Sequence, residues 1–146
     1  LKFLMNIRVR HTGIVTENLT KSLEFWQKYF GFKKIKDNNE YGETIDKVLG
    51  YKNVKVRTVK LKDSSNALIE LLFFKNRPKT KKNLLSPYSN GITHISITVK
   101  NIDKIYDKLK KKIRFNSKPL ISHDGNVKMT YCKTPEGAFL ELVEEL

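Results

Sequence analysis

Apolar positions along the chain recur first at helical spacing, with Leu19, Leu23, Trp26 and Phe30 on one side, Asn18 in front as a cap and Gly31 behind as a stop. A second stripe of the same kind, Ile102, Ile105, Tyr106, Leu109 and Ile113, follows another cap residue, Asn101. Both stripes predict amphipathic helices packed on a sheet. After each helix the pattern changes to alternating or continuous apolar runs, at 32–35, 54–61 and 67–74 in the first half and at 118–121, 127–133 and 139–143 in the second. These runs predict strands, separated by turn signals at 63–66, Asp124-Gly125 and Pro135-Glu136-Gly137. Residues 40–50 carry the pattern of a short helical turn.

The two halves are related to each other. A shift of 83 residues lays HTGIVTENLTKSLEFWQKYFGF over HISITVKNIDKIYDKLKKKIRF, matching His11 with His94, Ile14 with Ile97, Asn18 with Asn101, Lys21 with Lys104, Lys28 with Lys111 and Phe32 with Phe115. A shift of 71 lays ALIELL over AFLELV and brings Glu70 onto Glu141. Each half therefore reads as strand, helix and three strands, beginning with a histidine and ending with a glutamate. Neither half buries both faces of its sheet alone. The expected architecture is α+β: two tandem βαβββ modules forming one open, cup-shaped, mixed sheet of eight strands with the helices outside. The whole chain, 1–146, is expected to be a single domain, with module one at about 7–74, a linker rich in Lys, Asn, Pro and Ser at 75–93, and module two at about 94–146.

Composition removes several function classes. No run approaches the roughly 18 uncharged apolar residues of a spanning helix, and the opening LKFLM segment is too short for a signal-peptide core, so the expected address is cytoplasmic and no membrane partner is expected. The single cysteine, Cys132, excludes an intrachain disulfide and zinc-finger spacings, and its place in an apolar run predicts a buried strand residue. Net charge is +14, carried by 24 Lys and only 5 Arg. Such a field attracts anions, but a general bias toward Lys, with 12 Asn and 12 Ile alongside, accounts for it without a nucleic-acid partner. Lys79, Lys81 and Lys82 read as a solvated loop, and Lys110, Lys111 and Lys112 as a helix C-terminus.

Strand alternation places His94 with Ser96 and Thr98 on a polar face, while Glu70 shares a face with Leu68 and Leu72, and Glu141 with Phe139 and Val143. A carboxylate in an apolar row needs a proton, an ion pair or a cation. Because the same residue types recur at corresponding points of both copies, His11, Glu70, His94 and Glu141 are the candidate ligands of one divalent ion, in a mixed nitrogen and oxygen shell. Zn, Ni, Co, Mn and Fe all suit such a shell. His123 has no repeat counterpart and reads as an exposed loop residue. No phosphate-cradling loop, dinucleotide fingerprint or nucleophile triad is present, and no organic cofactor is expected.

At these residues the chain resembles the vicinal oxygen chelate superfamily, which includes glyoxalase I, methylmalonyl-CoA epimerase, extradiol dioxygenases and bleomycin-binding proteins. The motifs carrying the resemblance are HTGIVTENLTKSLEFWQKYFGF, IELLFF, GITHISITVKNID and TPEGAFLELVE. The resemblance implies a homodimer and a small-molecule substrate, anionic in keeping with the charge. It further implies a metal-dependent lyase or isomerase that removes a proton next to a carbonyl and stabilises a metal-held enediolate. Glu141 is the expected base, Glu70 the alternative, and His11 and His94 hold the ion. An iron-dependent dioxygenase and a metal-free drug-binding protein are the rival readings. The chain departs from glyoxalase I at Val15, where an arginine is usual, and from the epimerases at Glu70, where glutamine is usual. Arg57, Lys128 and Tyr131 are further positions able to reach a substrate.

Overall fold

A computed structural model describes residues 8–77 and 85–146, which divide into two compact units at that break. The cluster at Lys79, Lys81 and Lys82, and the middle of the expected linker, lie outside the described residues. No helix among the described residues is long and apolar enough to cross a membrane.

The first unit runs β1 (Thr12–Val15), α1 (Leu19–Leu23), β2 (Lys33–Tyr41), α2 (Glu43–Leu49), β3 (Lys55–Lys62) and β4 (Leu68–Phe74). The second runs β5 (His94–Thr98), α3 (Ile102–Leu109), β6 (Leu120–Ile121), β7 (Val127–Lys133) and β8 (Phe139–Glu145). The eight expected strands are hydrogen-bonded as two mixed sheets of four, in the orders β1-β4-β3-β2 and β5-β8-β7-β6. In each, the first strand lies parallel to the last and the remaining pairs are antiparallel. The helical crossover returns the chain parallel to its start, and the antiparallel neighbours are joined by short turns, except β2 and β3, whose connection carries α2.

The register makes the repeat concrete. Gly13 pairs with Glu70 and Ser96 with Glu141, so the shifts of 83 and 71 residues describe one and the same superposition. The core of the first unit is Phe25, Trp26, Val59, Leu61, Ile69 and Leu71, and that of the second includes Ile102, Leu109, Leu140, Leu142 and Cys132. Alternation puts Val59 and Leu61 on one face of β3 and Val56 and Thr58 on the other, and all four are buried. A strand covered on both faces loses the clean alternation of a half-exposed one, which is why its sequence pattern slips.

Two helix expectations need correction. From Glu24 to Tyr29 the helix that starts as α1 widens to π-helical turns. The buried residues are Ser22, Phe25 and Trp26, while Leu23 and Phe30 are half-buried, so the face turned to the core is displaced by about one residue from the expected stripe. The ends are as expected: Asn18 Oδ1 accepts from the Lys21 amide at 3.0 Å, and Gly31, with φ 73°, closes a C-terminal motif in which the amides of Gly31 and Phe32 donate to the carbonyls of Gln27 and Trp26. At the second helix, the side chain of Asn101 makes no cap hydrogen bond. Glu144 on β8 does that job, its two carboxylate oxygens accepting from the Asn101 and Ile102 amides at 2.8 and 3.0 Å. The expected helical turn at 40–50 is α2, and the expected strand at 118–121 is reduced to Leu120–Ile121.

Candidate functional site

His11 sits immediately before β1, and the parallel pairing of β1 with β4 brings Glu70 alongside it. His11 Nε2 lies 3.6 Å from Glu70 Oε1, with the side chains 28% and 14% exposed. His94 opens β5 and meets Glu141 of β8 in the same manner, Nε2 to Oε2 at 3.4 Å, with exposures of 38% and 18%. Each unit thus builds one imidazole–carboxylate pair, half withdrawn from water, from its first and last strands. Within either unit the described residues gather no third His, Cys, Asp or Glu into the group.

The third member of each group differs. On β3, Lys60 stands directly across from Glu70 in the ladder, and its Nζ lies 3.6 Å from Glu70 Oε2. On β7, Tyr131 stands across from Glu141, its hydroxyl 3.4 Å from His94 Nε2 and its ring centroid 5.2 Å from that of His94. Burial, and then the nearby negative charge of Glu141, push the Tyr131 phenol above its ordinary range. Lys60 and Tyr131 are 71 residues apart, the shift that relates the two glutamates. Extending that superposition back along the strand would have found Lys60, which a motif search misses because its counterpart is a different residue type.

The other sequence candidates sort by strand face. Arg57 alternates away from Lys60 and is held by Asp37, while Lys128 pairs with Asp103 on α3. Tyr131 alone of those three lies beside the histidine–glutamate pair. His123 lies in an exposed turn, and Cys132 is buried with its thiol pushed up to about 12 by desolvation, which leaves it no nucleophilic role.

The donor chemistry fits a divalent ion. Two ligands each about 2.1 Å from a tetrahedrally coordinated ion stand about 3.4 Å apart, close to the separation within each observed pair. His11 Nδ1 is buried without a hydrogen-bond partner, so this imidazole, whose Nε2 faces the carboxylate, carries an unmet polar demand at its other nitrogen. Imidazole and carboxylate together suit Zn, Ni, Co, Mn or Fe more than Ca or Mg. Lys60 is the one group at odds with a plain ligand shell, since it already supplies Glu70 with a positive charge.

Comparison with known proteins agrees with this architecture. None of the curated proteins matches the chain. A glyoxalase family protein of Bacillus cereus is similar in structure over 100% of this chain and 99% of its own, with a TM-score of 0.88 at 22% identity. A glyoxalase family protein of Enterococcus faecalis is similar over 95% of this chain and 98% of its own, with a TM-score of 0.69 at 21% identity. The trypanothione-dependent glyoxalase I of Leishmania major is similar over 96% of this chain and 88% of its own, with a TM-score of 0.67 at 20% identity. In sequence, the family described as the Glyoxalase/Bleomycin resistance protein/Dioxygenase superfamily matches residues 8–142, nearly the full length. The chain belongs to that superfamily.

Proposed function

We propose that the two units act as one domain, and that His11, Glu70, His94 and Glu141 hold a single divalent ion as the centre of a lyase or isomerase acting on a small substrate with an acidic carbon next to a carbonyl. The observation that carries this reading is the repetition: an imidazole and a carboxylate, 3.6 Å apart in one unit and 3.4 Å in the other, from equivalent strands. The bound ion would supply Lewis acidity toward two neighbouring substrate oxygens, easing loss of the adjacent proton.

The residues of the chain then divide the work. His11 and His94 would supply the nitrogen donors and orient the shell. Glu70 is held by both Lys60 and His11, so it is the anchored one of the two carboxylates. Glu141 has the imidazole of His94 beside it and no cation among the described contacts, and it shares its face of β8 with Phe139 and Val143. Glu141 is therefore the base that takes the substrate proton, and Tyr131, across the ladder from it, orients His94 through its hydroxyl. The deciding experiment is equilibrium dialysis against Zn, Ni, Co, Mn and Fe ions, followed by turnover of α-oxo and 2-hydroxy carbonyl compounds with the loaded protein. Glu141→Gln should keep the fold and abolish turnover. Absence of binding for every ion would replace this reading with metal-free capture of a small molecule, and oxygen uptake by the iron-loaded protein would replace it with dioxygenation.

A further inference from the structure

The superposed halves differ in one place that bears on chemistry: an ammonium in one stands where a phenol stands in the other. Lys60 is only 22% exposed and faces Glu70 across the β3–β4 ladder, so its charge is directed at the group and not out into solvent. We infer that Lys60 is the specificity-determining residue of the site, reserving it for a substrate whose metal-chelating end is a carboxylate or another anion. This rests on the reading given under Proposed function.

Charge counting carries the inference. Two carboxylates offset a divalent ion, so a shell of two histidines and two glutamates alone is neutral overall and adds no net charge that would draw an anion. With Lys60 included, the set carries one net positive charge. Were Glu70 to turn to an ion, the ammonium would give up part of its only carboxylate neighbour among the described contacts while its strand still holds it across the ladder from Glu70. An anionic oxygen of the substrate restores that pairing, whereas a neutral amide or alcohol of the same shape leaves the ammonium short of a partner in a half-buried place. Lys60 therefore acts with opposite sign on the two ligands. It competes with the ion for Glu70 and favours the anion that follows.

The test uses the full chain loaded with Mn²⁺ and two isosteric probes, lactate and its neutral counterpart lactamide, read through the relaxation of water protons displaced from the ion. Wild type should bind lactate more tightly than lactamide. Lys60→Met, which keeps the length of the side chain, should bind Mn²⁺ about fivefold or more tightly and lactate about fivefold or more weakly, with lactamide unchanged. Lys60→Arg should keep the preference, and serves as the control if the methionine variant folds poorly. Equal affinity of wild type for the two probes, or parallel loss of both in Lys60→Met, overturns the role of Lys60 and leaves the metal site standing. Failure of wild type to hold Mn²⁺ overturns the metal site and this role together.

Discussion

Asp37 sits between two cations: Arg57 donates to both of its oxygens at 2.8 Å through Nε and Nη2, and Lys34 donates to Oδ2 at 3.1 Å. The hydrogen bond from Arg57 first, against a smaller opposing effect of burial, and then that from Lys34 hold its carboxyl far below the ordinary value of 3.8. A carboxyl whose folded value is depressed stabilises the fold above its unfolded value and loses that contribution as the pH falls toward the folded one. Asp37→Asn should accordingly lower the urea midpoint at neutral pH, and the gap to wild type should narrow as the pH drops below about 4. The pair is partly exposed, so the effect is small and should weaken in high salt. A gap that widens in acid would show that Asp37 is not stabilised by these cations. Cys132 gives a second check at this scale. Buried completely and with its thiol pushed up to about 12, it should react with a thiol reagent only after denaturant is added.

Among the elements, α3 depends on a residue 42 positions away from its first turn. Glu144 accepts the Asn101 and Ile102 amides, so Glu144→Ala leaves two donors at a helix start without protein partners and should cost about 1–2 kcal/mol in denaturant unfolding, with Glu144→Gln losing less. Asn101 has φ 58°, a left-handed backbone that Asn tolerates and Gly prefers, so Asn101→Gly should be neutral or slightly stabilising while Asn101→Ala is destabilising. The sequence read Asn101 as the cap because its twin Asn18 is one, and the same letter serves a different purpose in each copy. A cap supplied from another strand leaves no local trace. The π-helical widening after Leu23 is equally silent, because Leu19, Leu23, Trp26 and Phe30 satisfy an ordinary helical period. Strand number and the recurrence of a histidine at the first strand and a glutamate on the last strand of each half were legible, since periodicity and internal repetition are properties of the letters themselves. Lys60 stayed hidden because its counterpart under the 71-residue shift, Tyr131, is a different residue type, so no repeated letter marks a position that only the β3–β4 register brings to Glu70.

For the molecule as a whole, the repeat makes a quantitative demand on metal binding. Each unit by itself offers two donors, and two donors hold a divalent ion only weakly, since structural and catalytic sites alike use three or four protein ligands. If the halves combine into one site, as proposed, titration with Zn²⁺ should saturate at about one ion per chain, and removal of a donor from either half should weaken the same event. His11→Ala and His94→Ala should each lower affinity by about tenfold or more, and the double variant should lose little beyond the worse single one once the ion is no longer held by its remaining ligands. If instead each half bound its own ion, the titration would end near two per chain, and each alanine would silence one step and spare the other. Dialysis with atomic absorption on the four proteins separates these outcomes without any knowledge of the substrate. The same preparations show whether the excess of cations elsewhere on the chain matters, because a site ion held by inner-sphere donors resists added salt, while anions gathered by the general +14 field are released as ionic strength rises.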